Sequence, residues 1–420
     1  MKRTSLFTGL ALAAALMSST AYAQTELSMW YHGAGNPEES SVLNMAIDDF
    51  NAAQKDWKVV IQSFPENAYN DSVVAGALAG NLPDIIDVDG PIMPNWAWSG
   101  YLQPLQLKEE EFAKFLPSTI GRWDGKVYSV GLWDAAVAII TRKSTLAKFD
   151  IRTPTLDKPW TLDEFNAILK KLKDSGDFSY PLDLGMTWTG EWYPYAFSPL
   201  MQSFGGDIID RSNYQSADGV LNGDAAVAFG NWWQSLFANK YAPGTSQDPA
   251  SRDNGLIEGK YAMAWNGNWV GTATLKALGD DTLFLPAPDF GKGPTIGAGS
   301  WQFGISATSK HPDGASAFIK HLTQDKYITA FSDTLGLVPT TAEAAASSKL
   351  YKKGGDMEVF FGLSKAQALV RPISPGYVVA AKVFEKALAD IANGADVVDS
   401  LDAAVDEIDA DIKKNSGYGH

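Results

Sequence analysis

The chain has 420 residues, no cysteine, four scattered histidines (His32, His311, His321, His420) and 34 basic against 49 acidic side chains, a formal charge of −15. That balance excludes partners that need clustered Lys and Arg, namely nucleic acid and anionic lipid, and the absent cysteine rules out disulfides and thiolate metal sites. No His-x-His, HExxH, Gly-x-Ser-x-Gly or Walker A pattern is present, so neither a metal nor a cofactor is expected.

Lys2 and Arg3, the apolar run 6–17 and Ala21-Tyr22-Ala23 read as an export signal cleaved after Ala23. Its apolar run is about a dozen residues, against roughly 20 for a membrane span. With no cysteine to lipidate, the remaining 397 residues are expected free in the periplasm, with 32 basic against 49 acidic groups once Lys2 and Arg3 are gone. A chain of this length predicts two domains.

Residues 27–31 alternate as a strand and run into the turn-rich 32–37. Residues 38–53 repeat Val42, Leu43, Ala46, Ile47 and Phe50 at helical spacing. A strand over 57–64, a helix over 67–79 closed by Gly80-Asn81-Leu82-Pro83, and a buried strand over 84–90 complete a β-α-β-α-β alternation. The pattern predicts a mainly parallel sheet flanked by helices. Ligands of such sheets sit beyond the carboxyl ends of the strands, which gathers Tyr31-His32, Glu66-Asn67, Asp87-Val88-Asp89 and Trp133-Asp134 at one rim. Strands are expected over 126–132 and 135–141. Pro159 to Glu164 reads as a loop entering a capped helix, helical segments continue to 239, and 261–265 and 295–306 are extended. Gly291-Lys292-Gly293-Pro294 reads as a turn, since Pro294 spoils a helix start. Two amphipathic helices, around 383–391 and 398–412, end the chain.

This order of segments resembles the extracellular solute-binding proteins of sugar-importing ABC transporters, the maltose-binding-protein class. The resemblance covers essentially the whole chain after residue 23. It is carried by 26–53, by Gly80-Asn81-Leu82-Pro83-Asp84-Ile85-Ile86, by the run 259–269 with its Asn266-Gly267-Asn268-Trp269, by Gly336-Leu337-Val338-Pro339-Thr340, and by the terminal helices. It implies a two-lobed α/β fold with hinge crossings near 133, 302 and 338. Lobe one would hold 24–133 and 304–338, lobe two 134–300 and 339–420. It further implies a monomer that captures a carbohydrate between the lobes and delivers it to inner-membrane permease subunits, without enzymatic activity.

A sugar site stacks C–H faces on aromatics and meets hydroxyls with carboxylates, amides and Arg. The rim supplies Tyr31, His32, Glu66, Asp87 and Asp89, each with a bland rival role as a cap, a brace or a satisfied buried group. The resemblance adds Asp134 as an acidic hydroxyl acceptor at the first crossing, with Trp133 as its rival. It places Trp269 on a stacking position of lobe two, with Trp265 on the preceding strand. Trp188, Glu191 and Trp192 fall in a mixed acid–aromatic stretch, Gly299-Ser300-Trp301 borders the second crossing, and Arg371 and Tyr377 precede the first terminal helix. Trp96, Trp98, Trp232 and Trp233 are expected to be packing residues. Two other classes share these residue types: the same fold holding a cationic osmolyte or polyamine in an aromatic box, and a glycoside hydrolase with paired carboxylates.

Overall fold

The structure, a computed structural model, describes residues 24–244 and 254–419. The expected export signal, 1–23, and His420 lie outside these residues. The chain opens with strand β1 (Thr25–Tyr31), helix α1 (Pro37–Ala53), β2 (Trp57–Ser63), α2 (Glu66–Ala79), β3 (Ile85–Asp89) and α3 (Met93–Trp98). Asn36 caps α1 by accepting from the Glu39 amide at 3.1 Å, and Pro37 fits the first helical position, where no amide is needed. Gly80 ends α2 with φ 68°, a left-handed conformation that glycine adopts without a Cβ penalty.

β4 (Leu102–Gln103), β5 (Ile120–Trp123), β6 (Lys126–Val130), β7 (Trp133–Asp134) and β8 (Val137–Arg142) follow, then α4 (Lys143–Lys148) and α5 (Leu162–Ser175). Thr161 and Glu164 form the capping box that the sequence announces before α5. The remaining elements are β9 (Tyr180–Asp183), α6 (Trp192–Phe204), α7 (Asp224–Ala238), β10 (Tyr261–Gly267), α8 (Gly271–Leu278), β11 (Thr282–Leu285), β12 (Ile296–Ala298), β13 (Trp301–Ser306), α9 (Pro312–Leu322), α10 (Asp325–Leu335), β14 (Val338–Pro339), α11 (Ala342–Ser347), α12 (Glu358–Ala366), β15 (Ala368–Val370), α13 (Tyr377–Ala392) and α14 (Val397–Lys414).

Two larger sheets hold most of these strands. One runs β2-β1-β3-β13-β6-β5, with β4 beside β13; the other runs β11-β8-β10-β9. Each has its own apolar core. The first sheet is packed on one side by residues such as Leu43, Phe50, Phe318 and Phe331, and on the other by Tyr69, Val73, Met93 and Trp96. The second core runs from Ile139 and Phe165 through Trp233 and Met263 to Leu401 and Ile412.

The sheets are mixed rather than mainly parallel. β1 pairs in parallel with β2 and β3, as βαβ crossovers require. β13 returns from the other sheet in the opposite sense and joins β3, β4 and β6 antiparallel, while β5 and β6 form a hairpin. In the second sheet only β9–β10 is parallel. Helical alternation legible in 25–89 does not extend to strands that arrive across a hinge.

Between the sheets, β7 and β14 pair antiparallel, Asp134 opposite Val338, and β12 pairs with β15. Trp96 and Trp233 are buried, and Trp232 nearly so, but Trp98 is 44 % exposed and meets Tyr418 edge-on, ring centres 4.9 Å apart. Among the described residues no helix is long and apolar enough to cross a membrane, and no group of His, Asp or Glu is arranged for a metal ion.

Candidate functional site

A cleft of about 830 Å3 opens where the carboxyl ends of β1 and β3 face α6 and the turn after β10. Its volume lies in the range of small-molecule sites. A groove of the same volume on another face is lined by Phe112, Phe115, Phe361 and Leu369 but holds neither Trp nor a carboxylate. Volume does not separate the two concavities; the chemistry of their walls does.

The first wall comes from the first sheet. Its lining includes His32 after β1, Glu66 and Asn67 opening α2, Asp89 ending β3, and Trp301 opening β13 opposite Asp89. The second wall is aromatic: Trp188, Trp192, Tyr195 and Trp269. Trp192 and Tyr195 lie three apart in α6 and so share a face. Trp188 meets Trp192 edge-on at 4.6 Å, and the Trp269 ring lies 6.0 Å from Trp192 and 6.1 Å from Trp188 and Tyr195. Trp269 rests against Gly267, where any Cβ would strike its six-membered ring. The glycine of the Asn-Gly-x-Trp run is therefore the seat of the indole.

Arg371 joins the walls. Its guanidinium donates to Glu191 of the second wall at 2.7 Å, lies 3.6 Å from Asp89 of the first, and packs 5.0 Å from the Tyr195 ring centre. Tyr377 also donates to Glu191, at 2.7 Å. Burial works against the Arg371 charge, but Asp89, Tyr377 and Glu191 outweigh it and raise its pKa. Burial pushes the Asp89 carboxyl up to about 6, with Glu191 and Glu66 adding to the rise and Arg371 opposing it.

Of the sixteen expected residues, His32, Glu66, Asp89, Trp188, Glu191, Trp192, Trp269, Gly299, Ser300, Trp301 and Arg371 line this cleft. Five do not. Tyr31 is fully buried and donates to Glu39 from behind the wall. Asp87 is fully buried and holds the His32 ring. Tyr377 is 1 % exposed and braces Glu191. Trp265 is a core residue whose indole N–H donates to the Ala196 carbonyl at 3.0 Å. It follows Met263 at strand spacing, and that face of β10 turns into the second core.

Asp134 is fully buried, and its carboxylate accepts from Ser118 Oγ at 2.9 Å, the Ala135 amide at 2.9 Å and the Gly299 amide at 2.7 Å. It ties one crossing to the other instead of facing the cleft. Burial raises its pKa despite those three donors. Gly299 has φ +91°, which suits glycine alone and lets its amide reach Asp134. Trp133, the rival, does line the cleft and donates to Ser300 Oγ at 2.9 Å.

Sequence reasoning missed Glu39, Ala135, Thr187, Thr189, Tyr195 and Leu337 on the walls, and placed Asn67 at the rim without choosing it for the site. Tyr195 was within reach, one helical turn beyond Trp192. The others carry no signal beyond lying near a chosen residue.

Residues 45–359 match the sequence profile of a family described as bacterial extracellular solute-binding protein. A curated relative from Streptomyces antibioticus, the uncharacterized lipoprotein in oleD 5' region, is 24 % identical over 333 residues, covering 76 % of this chain and 71 % of its own. The multiple sugar-binding protein of Streptococcus mutans is 22 % identical over 317 residues, with 71 % and 72 % covered. Among solved structures, the cyclic alpha-maltosyl-1,6-maltose binding protein from Arthrobacter globiformis matches with a TM-score of 0.79 at 20 % identity, over 93 % of this chain and all of that one. At that identity the likeness speaks for the fold, two lobes around a cleft.

Proposed function

Because this chain belongs to the bacterial extracellular solute-binding proteins, we propose that it captures a neutral oligosaccharide or glycoside in the cleft between its lobes and delivers it, as a monomer, to the permease of an ABC importer. The observation that carries the reading is the pairing of walls. Trp188, Trp192, Tyr195 and Trp269 offer flat apolar faces, and Glu66, Asp89, Glu191 and Arg371 stand beside them as hydroxyl partners. The names of the Streptococcus and Arthrobacter proteins point to the same ligand class. The reading as a binding protein and not an enzyme rests on the family.

We assign lobe one to 24–133 with 304–338 and lobe two to 134–300 with 339–420; the separate cores support the division except near the crossings, where Leu116 and Val338 pack in the second core and Ala344 in the first. Trp301 to Phe303 go with lobe one, since β13 begins at Trp301. The name of the Streptomyces relative implies an acyl anchor, but these 420 residues include no cysteine to carry one. We therefore place the protein free in the periplasm.

The test is a thermal-shift screen of purified protein over neutral di- and trisaccharides, sugar phosphates, betaines and polyamines. A ligand at a hundredfold its dissociation constant adds about 2.7 kcal/mol of stability, several degrees in Tm. A shift with betaines or polyamines and none with any sugar refutes the proposal.

A further inference from the structure

His32 lies on the lobe-one wall with both ring nitrogens facing carboxylates. Nδ1 bonds Asp87 Oδ2, and Nε2 lies 3.6 Å from Glu39 Oε1. A neutral imidazole has one N–H and one lone pair, so either tautomer would aim a lone pair at a carboxylate oxygen. Both Glu39 oxygens already accept, one from the Tyr31 hydroxyl and one from Asn36 Nδ2 at 2.9 Å. Asp87 is sealed from solvent and its Oδ1 has no hydrogen-bond partner, so its charge needs a cation close by. The other groups felt at this cluster are Glu66, Asp89, Tyr31 and Tyr69, and the cation Arg371 is held beyond them against Asp89, at 3.6 Å. Burial works against protonating His32, but Asp87, Glu39 and Glu66 outweigh it and raise its pKa.

The flat face of the same ring lies on Trp301, with centroids 3.7 Å apart and planes within 5°. Tyr69 closes on Trp301 edge-on at 5.6 Å. Trp301 itself lines the cleft.

We propose that His32 is an imidazolium clamp. Doubly protonated between Asp87 and Glu39, it holds the Trp301 indole by cation–π stacking and fixes it as a platform for a sugar ring, so that ligand affinity depends on the His32 proton. His32 is thus a positioning residue that acts through Trp301. The role of the platform rests on the carbohydrate reading; the ring pair does not.

The test follows wild type, His32→Gln and Trp301→Phe from about pH 5 to about pH 9, across the range in which a histidine titrates. Histidine 15N NMR and tryptophan emission are recorded without ligand, and maltotriose and a panel of neutral oligosaccharides are then titrated at each pH. An imidazolium touching an indole quenches its emission. The expected result is one rise in emission as His32 deprotonates, at a pH above that of free histidine, and its absence from both variants. Affinity in wild type should fall about tenfold over the same step, and affinity in His32→Gln should be low and lack that step. A His32 ring that titrates at or below free histidine overturns the clamp. So does emission that ignores that titration, or a wild-type affinity that stays level through it. The wild-type measurements decide this even where His32→Gln fails to fold. If no neutral oligosaccharide binds at any pH while the emission step persists, the carbohydrate reading fails and the clamp on Trp301 stands.

Discussion

Gly267→Ala is the sharpest probe of the aromatic wall. Gly267 sits at φ −99° and ψ 172°, extended backbone that alanine adopts without strain, so the substitution acts through the added methyl alone. That methyl would land in the six-membered ring of Trp269. The indole must withdraw by more than about 1 Å to regain van der Waals separation, and overpacking of this kind costs roughly 1–3 kcal/mol. A sugar ring stacked on one indole face covers about half of the roughly 200 Å2 that a tryptophan buries, about 100 Å2 or ~2.5 kcal/mol. That amounts to about 60-fold in dissociation constant. Trp269→Ala should lose that factor and, because Trp269 is only partly buried, cost the apo protein less than the roughly 3–5 kcal/mol of a core tryptophan. Gly267→Ala should weaken binding at least tenfold. In the double variant the methyl meets no ring, so the glycine substitution should become nearly silent in stability and affinity, a coupling of about 1–3 kcal/mol. Titration calorimetry with a binding oligosaccharide and urea denaturation of the four proteins measure both. Additive losses, or a Gly267→Ala protein that binds like wild type, would refute the seat.

Three further outcomes follow from the charges. Arg371→Gln strands Asp89 and Glu191 and should cost about 3–5 kcal/mol at neutral pH by urea denaturation, and less near pH 5, where Asp89 takes up a proton. Between about pH 4 and pH 6 the native Asp89 keeps a proton that the unfolded chain has released, so its contribution lowers stability as pH rises, by up to about 3 kcal/mol. Asp89→Asn should gain on wild type across that window; parallel stability curves for the two proteins would contradict the shift. Asp134→Ala leaves three donors at the crossing without an acceptor, so the melting temperature should drop for a loss of roughly 2–3 kcal/mol. Well below that melting temperature, its affinity should fall much less than that of Trp269→Ala.

Much of the fold was legible because local chemistry marks it. Gly80 and Thr161–Glu164 are capping signals, and each ends or starts a helix where the sequence places it, while Asn36-Pro37, read as the end of a turn, caps a helix that starts one residue earlier than expected. The rim loops also converge, since the carboxyl ends of parallel neighbours must face one way. What escaped was depth. Tyr31, Asp87 and Tyr377 stand one layer behind His32 and Glu191, and a strand or helix pattern gives the direction of a side chain without showing what lies in front of it. Asp134 and Trp133 are adjacent and point apart, so the choice of which faces the cleft turned on a single residue of register. Trp98 shows the converse: an aromatic beside a buried Trp96 remains half exposed because its cover is a contact with Tyr418, more than 300 residues away.

The most direct measurement is titration calorimetry of the wild-type protein against neutral oligosaccharides, followed by the same titration in Trp269→Ala. The expected result is one molecule bound per chain, with affinity falling about 60-fold in the variant. Saturable binding of a betaine or a polyamine with no heat from any oligosaccharide, or oligosaccharide binding indifferent to Trp269, would contradict capture of a sugar in this cleft.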